Sequence, residues 1–182
     1  MKGFQCDPFE RFNSDWALLA AGPAENCNAM TISWGSMGTI WGKSVITVYV
    51  RPDRYTWGFL KENDIFTVSF YPEKYRDALM LMGLRSGRDG DKAAAAGLTV
   101  KPLEDCVTFA EAAETFVCRK IYMHQLDYDA CPDAAKQIYR DGVEPHWLIM
   151  GEVTDRLVSA VQADKLCACT GCATNDSMQL PR

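Results

Sequence analysis

Histidine is scarce in this chain: His124 and His146 are the only two among 182 residues. That excludes a zinc centre built on three histidines, and neither sits in an HExxH protease motif. Glycine-rich turns occur, but none is a nucleotide signature. Gly83–Lys92 reads GLRSGRDGDK and lacks the Gly-Lys-Ser/Thr of a P-loop, while Gly35–Gly42 reads GSMGTIWG, which is not GxGxxG. No GxSxG nucleophile elbow is present. The obvious hydrolase, kinase and dinucleotide-fold dehydrogenase readings fall together. A basic excess is missing as well, with 19 Lys+Arg against 24 Asp+Glu and a net charge of −5. Nucleic acid is therefore not expected as a partner. No apolar run approaches the ~20 residues of a membrane span, and Met1–Pro8 has no apolar h-region. The expectation is a cytoplasmic protein with no membrane partner.

The chain also lacks repeats, low-complexity linkers and charge blocks. With 48% hydrophobic and 24% charged residues it can bury a real core, and disorder over most of its length is excluded. We expect one domain over residues 1–164 and a cysteine-containing tail over 165–182. Eight cysteines in a reducing compartment read as buried thiols, metal ligands or redox groups rather than a disulfide framework. Cys167, Cys169 and Cys172 form the densest group. Cys169 and Cys172 make a CxxC pair suited to redox chemistry or half a metal site, but the cluster lacks a fourth ligand, so no metal site is assigned. A reactive tail without function is the alternative.

Strands are predicted at Ala29–Trp34, Ser44–Val50, Ile65–Tyr71, Phe116–Tyr122 and Trp147–Val153, the last bent at Gly151. Short helices are predicted at Arg54–Lys61, Lys74–Met82, Asp91–Ala96 and Pro132–Tyr139. Strands come in groups rather than alternating with helices, which favours an antiparallel barrel with inserted helices over a parallel sheet.

Three patches carry candidate chemistry. In Asn26–Trp34 (NCNAMTISW) the hydroxyls of Thr31 and Ser33 share one strand face, with Met30, Ile32 and Trp34 facing the core. They line either a polar ligand edge or an ordinary solvent face. Val50–Thr56 (VRPDRYT) sets Arg51 and Arg54 where a helix begins; guanidinium forks and free helix N–H groups suit phosphate, and Arg–Asp pairing is the alternative. In Ser86–Lys92 (SGRDGDK) glycines let amides approach an anion, although Asp89 and Asp91 neutralise Arg88 and Lys92 locally.

Taken in order and spacing, these stretches resemble the flavin reductase-like FMN-binding family of split-barrel proteins, which includes flavoredoxin. The resemblance extends more weakly through Phe116–Lys120 and His146–Val153 and covers about residues 10–160. It implies a mainly β fold, a six-stranded antiparallel split barrel, and a homodimer holding FMN at the subunit junction. Carried over by position, it implies that Asn28, Met30, Thr31, Ile32, Ser33 and Trp34 run along the cofactor. Arg51, Arg54 and Thr56 would meet its phosphate, and Ser86, Gly87 and Lys92 would contribute from the third loop.

His146 aligns with a position near the flavin edge, as a candidate catalytic residue; a structural hydrogen-bonding role is the alternative. His124 reads as structural or exposed. The implied activity is an oxidoreductase that passes electrons through FMN to a small redox substrate or a redox protein, with NAD(P)H as candidate donor. The competing reading is a non-enzymatic electron carrier.

Overall fold

The computed structural model describes residues 6–159. The tail and the expectations for Cys167, Cys169 and Cys172 lie outside the described residues. Among the described residues no helix is long and apolar enough to cross a membrane.

After helix α1 (Pro8–Asn13), strands β1 (Ala17–Ala21), β2 (Asn28–Ile32), β3 (Gly35–Ile40) and β4 (Lys43–Val50) follow in quick succession. Helix α2 (Tyr55–Glu62) leads to β5 (Ile65–Phe70), then α3 (Arg76–Leu84), α4 (Lys92–Ala95) and the short strands β6 (Val100–Pro102) and β7 (Val107–Phe109). Two 12-residue strands, β8 (Glu114–Gln125) and β9 (Trp147–Val158), flank α5 (Asp133–Lys136). The main sheet is antiparallel throughout, with order β2-β1-β5-β8-β9-β4-β3, while β6 and β7 pair separately.

The edge strands β2 and β3 are consecutive in sequence and joined only by Ser33 and Trp34. Three peptide steps span at most ~11 Å, so the sheet must curl until its two edges approach at that end. No ladder joins them, and the barrel stays open. This corrects the expected strand count: the sheet has seven strands, not six, and no closed barrel forms. Two of the seven escaped the period-two reading for separate reasons. β1 is ALLAA, buried along its whole length, and alanine carries no β-propensity signal. β3 is GSMGTI, whose glycines read as a turn.

Burial on both faces of β1 has a structural cause. Ala17, Leu19 and Ala21 join the barrel interior with Met30, Ile46, Val48, Phe66, Phe70 and Phe116. Leu18 and Ala20 pack outside under Leu79 and Met82 of α3 and Val107 and Phe109 of β7. The same cover buries Thr67 and Ser69, the polar residues that alternate with Phe66, Val68 and Phe70 along β5. Their hydroxyls are satisfied: Thr67 donates to the Val107 carbonyl at 2.7 Å, and Ser69 meets Thr108 at 3.1 Å and Thr115 at 2.9 Å. A buried hydroxyl is tolerated where it is paired.

Gly151 does mark an irregularity. Lys120 pairs with Gly151 and Tyr122 with Met150, so Ile121 is the extra residue of a bulge in β8 opposite the glycine. A Cβ at Gly151 would lie 2.6 Å from the Cβ of Cys118 and closer still to the Phe66 ring.

Candidate functional site

The register of β4 and β9 brings the first group together. Val50 pairs with Trp147, so Arg51 and His146 face each other one step beyond the ladder. The end of β2 and the start of α2 complete a cavity of about 280 Å³. Met30, Thr31, Ile32, Ser33, Trp34, Arg51, Arg54 and His146 all line it, joined by Tyr49 and Ile138. The convergence of strand-end, helix-entry and distant histidine is the main result at this site. Tyr49 was legible in principle, as the outward residue between inward Val48 and Val50. Ile138 lies in a segment without periodic signal.

Trp34 departs from expectation. Rather than entering the core it is 42% exposed and lies against the imidazole of His146, ring centroids 4.6 Å apart at 35°. The reason is local: β2 ends at Ile32, and the chain turns at Ser33 to reach β3, so strand alternation no longer governs residue 34. The Thr31 hydroxyl is already engaged, donating to the Leu79 carbonyl of α3. Ser33 is exposed.

Charge in this cavity is one-sided. Its lining holds two guanidinium groups and no carboxylate. Arg51 pairs with Asp53 at 3.1 Å. Arg54 stands at the N-cap of α2, where no side chain caps the helix and the first turn carries no acid. The unpaired N–H groups and dipole of that end favour an anion. His146 is half-buried, its Nδ1 3.0 Å from the Tyr139 hydroxyl. Burial, then the charges of Arg51 and Arg54, push its pKa down to about 4, with Asp53 opposing. At neutral pH the ring is uncharged.

Asn28, Gly87 and Lys92 line a second cavity of about 340 Å³ on the other side of α2's entry. A Cβ at Gly87 would strike the Asn28 carboxamide and the Tyr55 ring, so glycine is what lets this loop close on β2. Lys92 is 7% exposed, and its Nζ donates to the Met82 and Arg85 carbonyls at 3.0 and 3.1 Å. It thereby caps the C-terminus of α3. Burial and then Arg54 lower its pKa to about 8. Arg54 thus acts on a residue of each cavity and stands between them.

Thr56 and Ser86 line neither space. Thr56 is buried and accepts from Asn28 Nδ2 at 2.7 Å, while Ser86 accepts from the Arg88 N–H at 3.2 Å in its own turn. His124 bonds the neighbouring Gln125 carbonyl, away from both cavities. Beyond Trp34 opens a larger, mostly apolar cleft of about 670 Å³, bounded by Phe9 and Phe12 of α1 and Met37 of β3. It shares Ser33, Trp34 and Tyr49 with the first cavity. Among the described residues no group of three His, Cys, Asp or Glu side chains is placed to hold a metal ion.

An open antiparallel barrel with a cationic, carboxylate-free cavity beside its edge-strand junction defines the class. Residues 9–170 match the family described as flavin reductase like domain, and the chain belongs to that family. Solved structures agree on the fold. The chain is similar to flavoredoxin from Methanosarcina acetivorans, with 20% identity, a TM-score of 0.64, and coverage of 80% of this chain and 69% of that one. It is similar to the FMN-binding protein from Thermus thermophilus with bound p-hydroxybenzaldehyde (19% identity, TM-score 0.65, coverage 88% and 80%). Nitrilotriacetate monooxygenase component B from Bacillus cereus gives 17% identity, a TM-score of 0.64, and coverage of 83% and 76%. No curated protein matches the chain.

Proposed function

We propose that this protein is an FMN-dependent oxidoreductase, with the phosphate of FMN at Arg51, Arg54 and the entry of α2 and the rest of the cofactor along Met30–Trp34. The observation that carries this reading is Arg54: a cation at the uncapped, acid-free start of an eight-residue helix, in a lining without a carboxylate. Those groups fit a dianionic phosphate. Trp34 and Met30 offer apolar surface to a flat ring. The second cavity, reached past Arg54, offers Asn28 as a further polar contact, while Lys92 holds its loop in place through the α3 carbonyls.

When bound, FMN supplies the hydride or electron chemistry. The chain's own residues bind and orient it. His146, uncharged at neutral pH, offers a hydrogen-bonding edge without adding to the local positive charge. A cavity of about 280 Å³ lies below the ~300–1,000 Å³ of pockets that enclose a ligand. A second copy of the chain, seated over the adjoining apolar cleft, would complete the enclosure, and a homodimer is part of the proposal. NAD(P)H is the proposed donor, a small redox molecule or redox protein the acceptor, and the cytoplasm the compartment.

Titration with FMN and with riboflavin tests the phosphate assignment. FMN should bind at least tenfold more tightly, and equal affinities would remove Arg51 and Arg54 from the account. A second reading, a carrier whose bound FMN shuttles electrons between proteins, is favoured by the lack of any dinucleotide-binding turn in the sequence. Steady-state NAD(P)H oxidation with added free flavin separates the two: turnover supports the enzyme, and a stable bound flavin without turnover supports the carrier.

A further inference from the structure

The excursion 126–146 between β8 and β9 places two consecutive side chains against the site. Ile138 lines the cavity, and Tyr139 turns inward, 7% exposed, at the end of a 3₁₀ turn that follows α5. The Tyr139 ring stands edge-on to His146, centroids 5.7 Å apart at 63°. Trp34 lies against the same imidazole, so its ring is held by two aromatic neighbours and one hydrogen bond. That bond, 3.0 Å from the phenol to Nδ1, runs in one of two directions. Among the described residues the hydroxyl has Nδ1 as its one side-chain partner. A buried O–H without an acceptor is costly, so the phenol donates, Nδ1 accepts, and the imidazole proton resides on Nε2.

We propose that Tyr139 is a positioning residue: it fixes His146 in the Nε2–H tautomer, so that the imidazole offers the cavity a hydrogen-bond donor and selects acceptor-bearing groups such as carbonyls or phosphate oxygens. The absence of any carboxylate from the lining makes donors the whole of the charged and imidazole recognition set. The inference rests on the FMN reading for the identity of the ligand but not for the tautomer.

The test is long-range ¹H–¹⁵N correlation on the ligand-free full chain at pH 7. The His124→Gln variant assigns the resonances, since the chain has two histidines. The parent should show His146 protonated at Nε2 and bare at Nδ1. Tyr139→Phe should give a mixture in which the Nδ1–H form rises several-fold. A parent ring protonated at Nδ1, or a Tyr139→Phe spectrum identical to the parent's, overturns the proposal. Should the variant fail to fold, the parent spectrum alone decides the direction of the bond. A parent that shows the Nε2–H tautomer yet binds no FMN would refute the cofactor reading and leave this tautomer assignment standing.

Discussion

Replacing Arg54 with alanine removes a cation that caps nothing and pairs with no acid among the described residues. The loss therefore falls on the ligand. A charge-assisted hydrogen bond is worth about 1.5–3 kcal/mol, which at 1.4 kcal/mol per decade weakens FMN about 10- to 150-fold. Arg51 behaves differently because Asp53 sits 3.1 Å away with 60% of its side chain exposed. Arg51→Ala loses a similar bond and also bares that carboxylate beside the phosphate, so it should weaken FMN at least as much. Asp53→Ala should do the reverse, freeing Arg51. An exposed pair is worth at most about 1 kcal/mol, so FMN should tighten up to about fivefold. Fluorescence titration with FMN reads all three, and riboflavin, lacking the phosphate, should show none of these changes. Parent-like FMN affinity in Arg54→Ala, or an equal loss of riboflavin, would refute the reasoning.

Three further outcomes follow from the fold and the site. Gly151→Ala forces a methyl group against Phe66 and Cys118, both fully buried; overpacking of this kind costs about 1–3 kcal/mol, read as a lower urea midpoint, and an unchanged midpoint would contradict it. Glu114 is 5% exposed between Arg11 and Arg156, so Glu114→Gln removes the buried negative charge that both guanidinium groups share and should cost about 3 kcal/mol, again by urea unfolding. His146 has its folded-state pKa pushed from 6.5 down to about 4. The unfolded chain takes up this proton first, so the contribution to stability is full above pH 6.5 and is lost as pH falls toward 4. His146→Gln should flatten that part of the stability–pH curve, and a curve parallel to the parent's would show that the ring does not titrate as described.

Local chemistry made much of this molecule legible before its coordinates. Met30 and Ile32 alternate with Thr31, and they do enter the barrel. The arginines at the start of α2 lie where Pro52 and Asp53 announce a turn, and Gly151 lies opposite a true bulge. What stayed hidden depends on contacts distant in sequence. ALLAA is a strand because α3 and β7 cover its outer face, not because of its residues. Trp34 leaves the core because two residues must bridge the edges of a curled sheet. Lys92 reads as an anion donor in SGRDGDK, yet its Nζ is taken by carbonyls of α3, a helix end whose position no local pattern discloses. Tyr139 ends the helix predicted at Pro132–Tyr139, but nothing local marked its role, which exists only where the excursion folds back on His146.

The central claim is that this cavity takes FMN, and equilibrium dialysis tests it most directly. With the purified chain on one side of the membrane, the account predicts that FMN accumulates there to about one equivalent per chain at saturation. Equal FMN concentrations on both sides would contradict it.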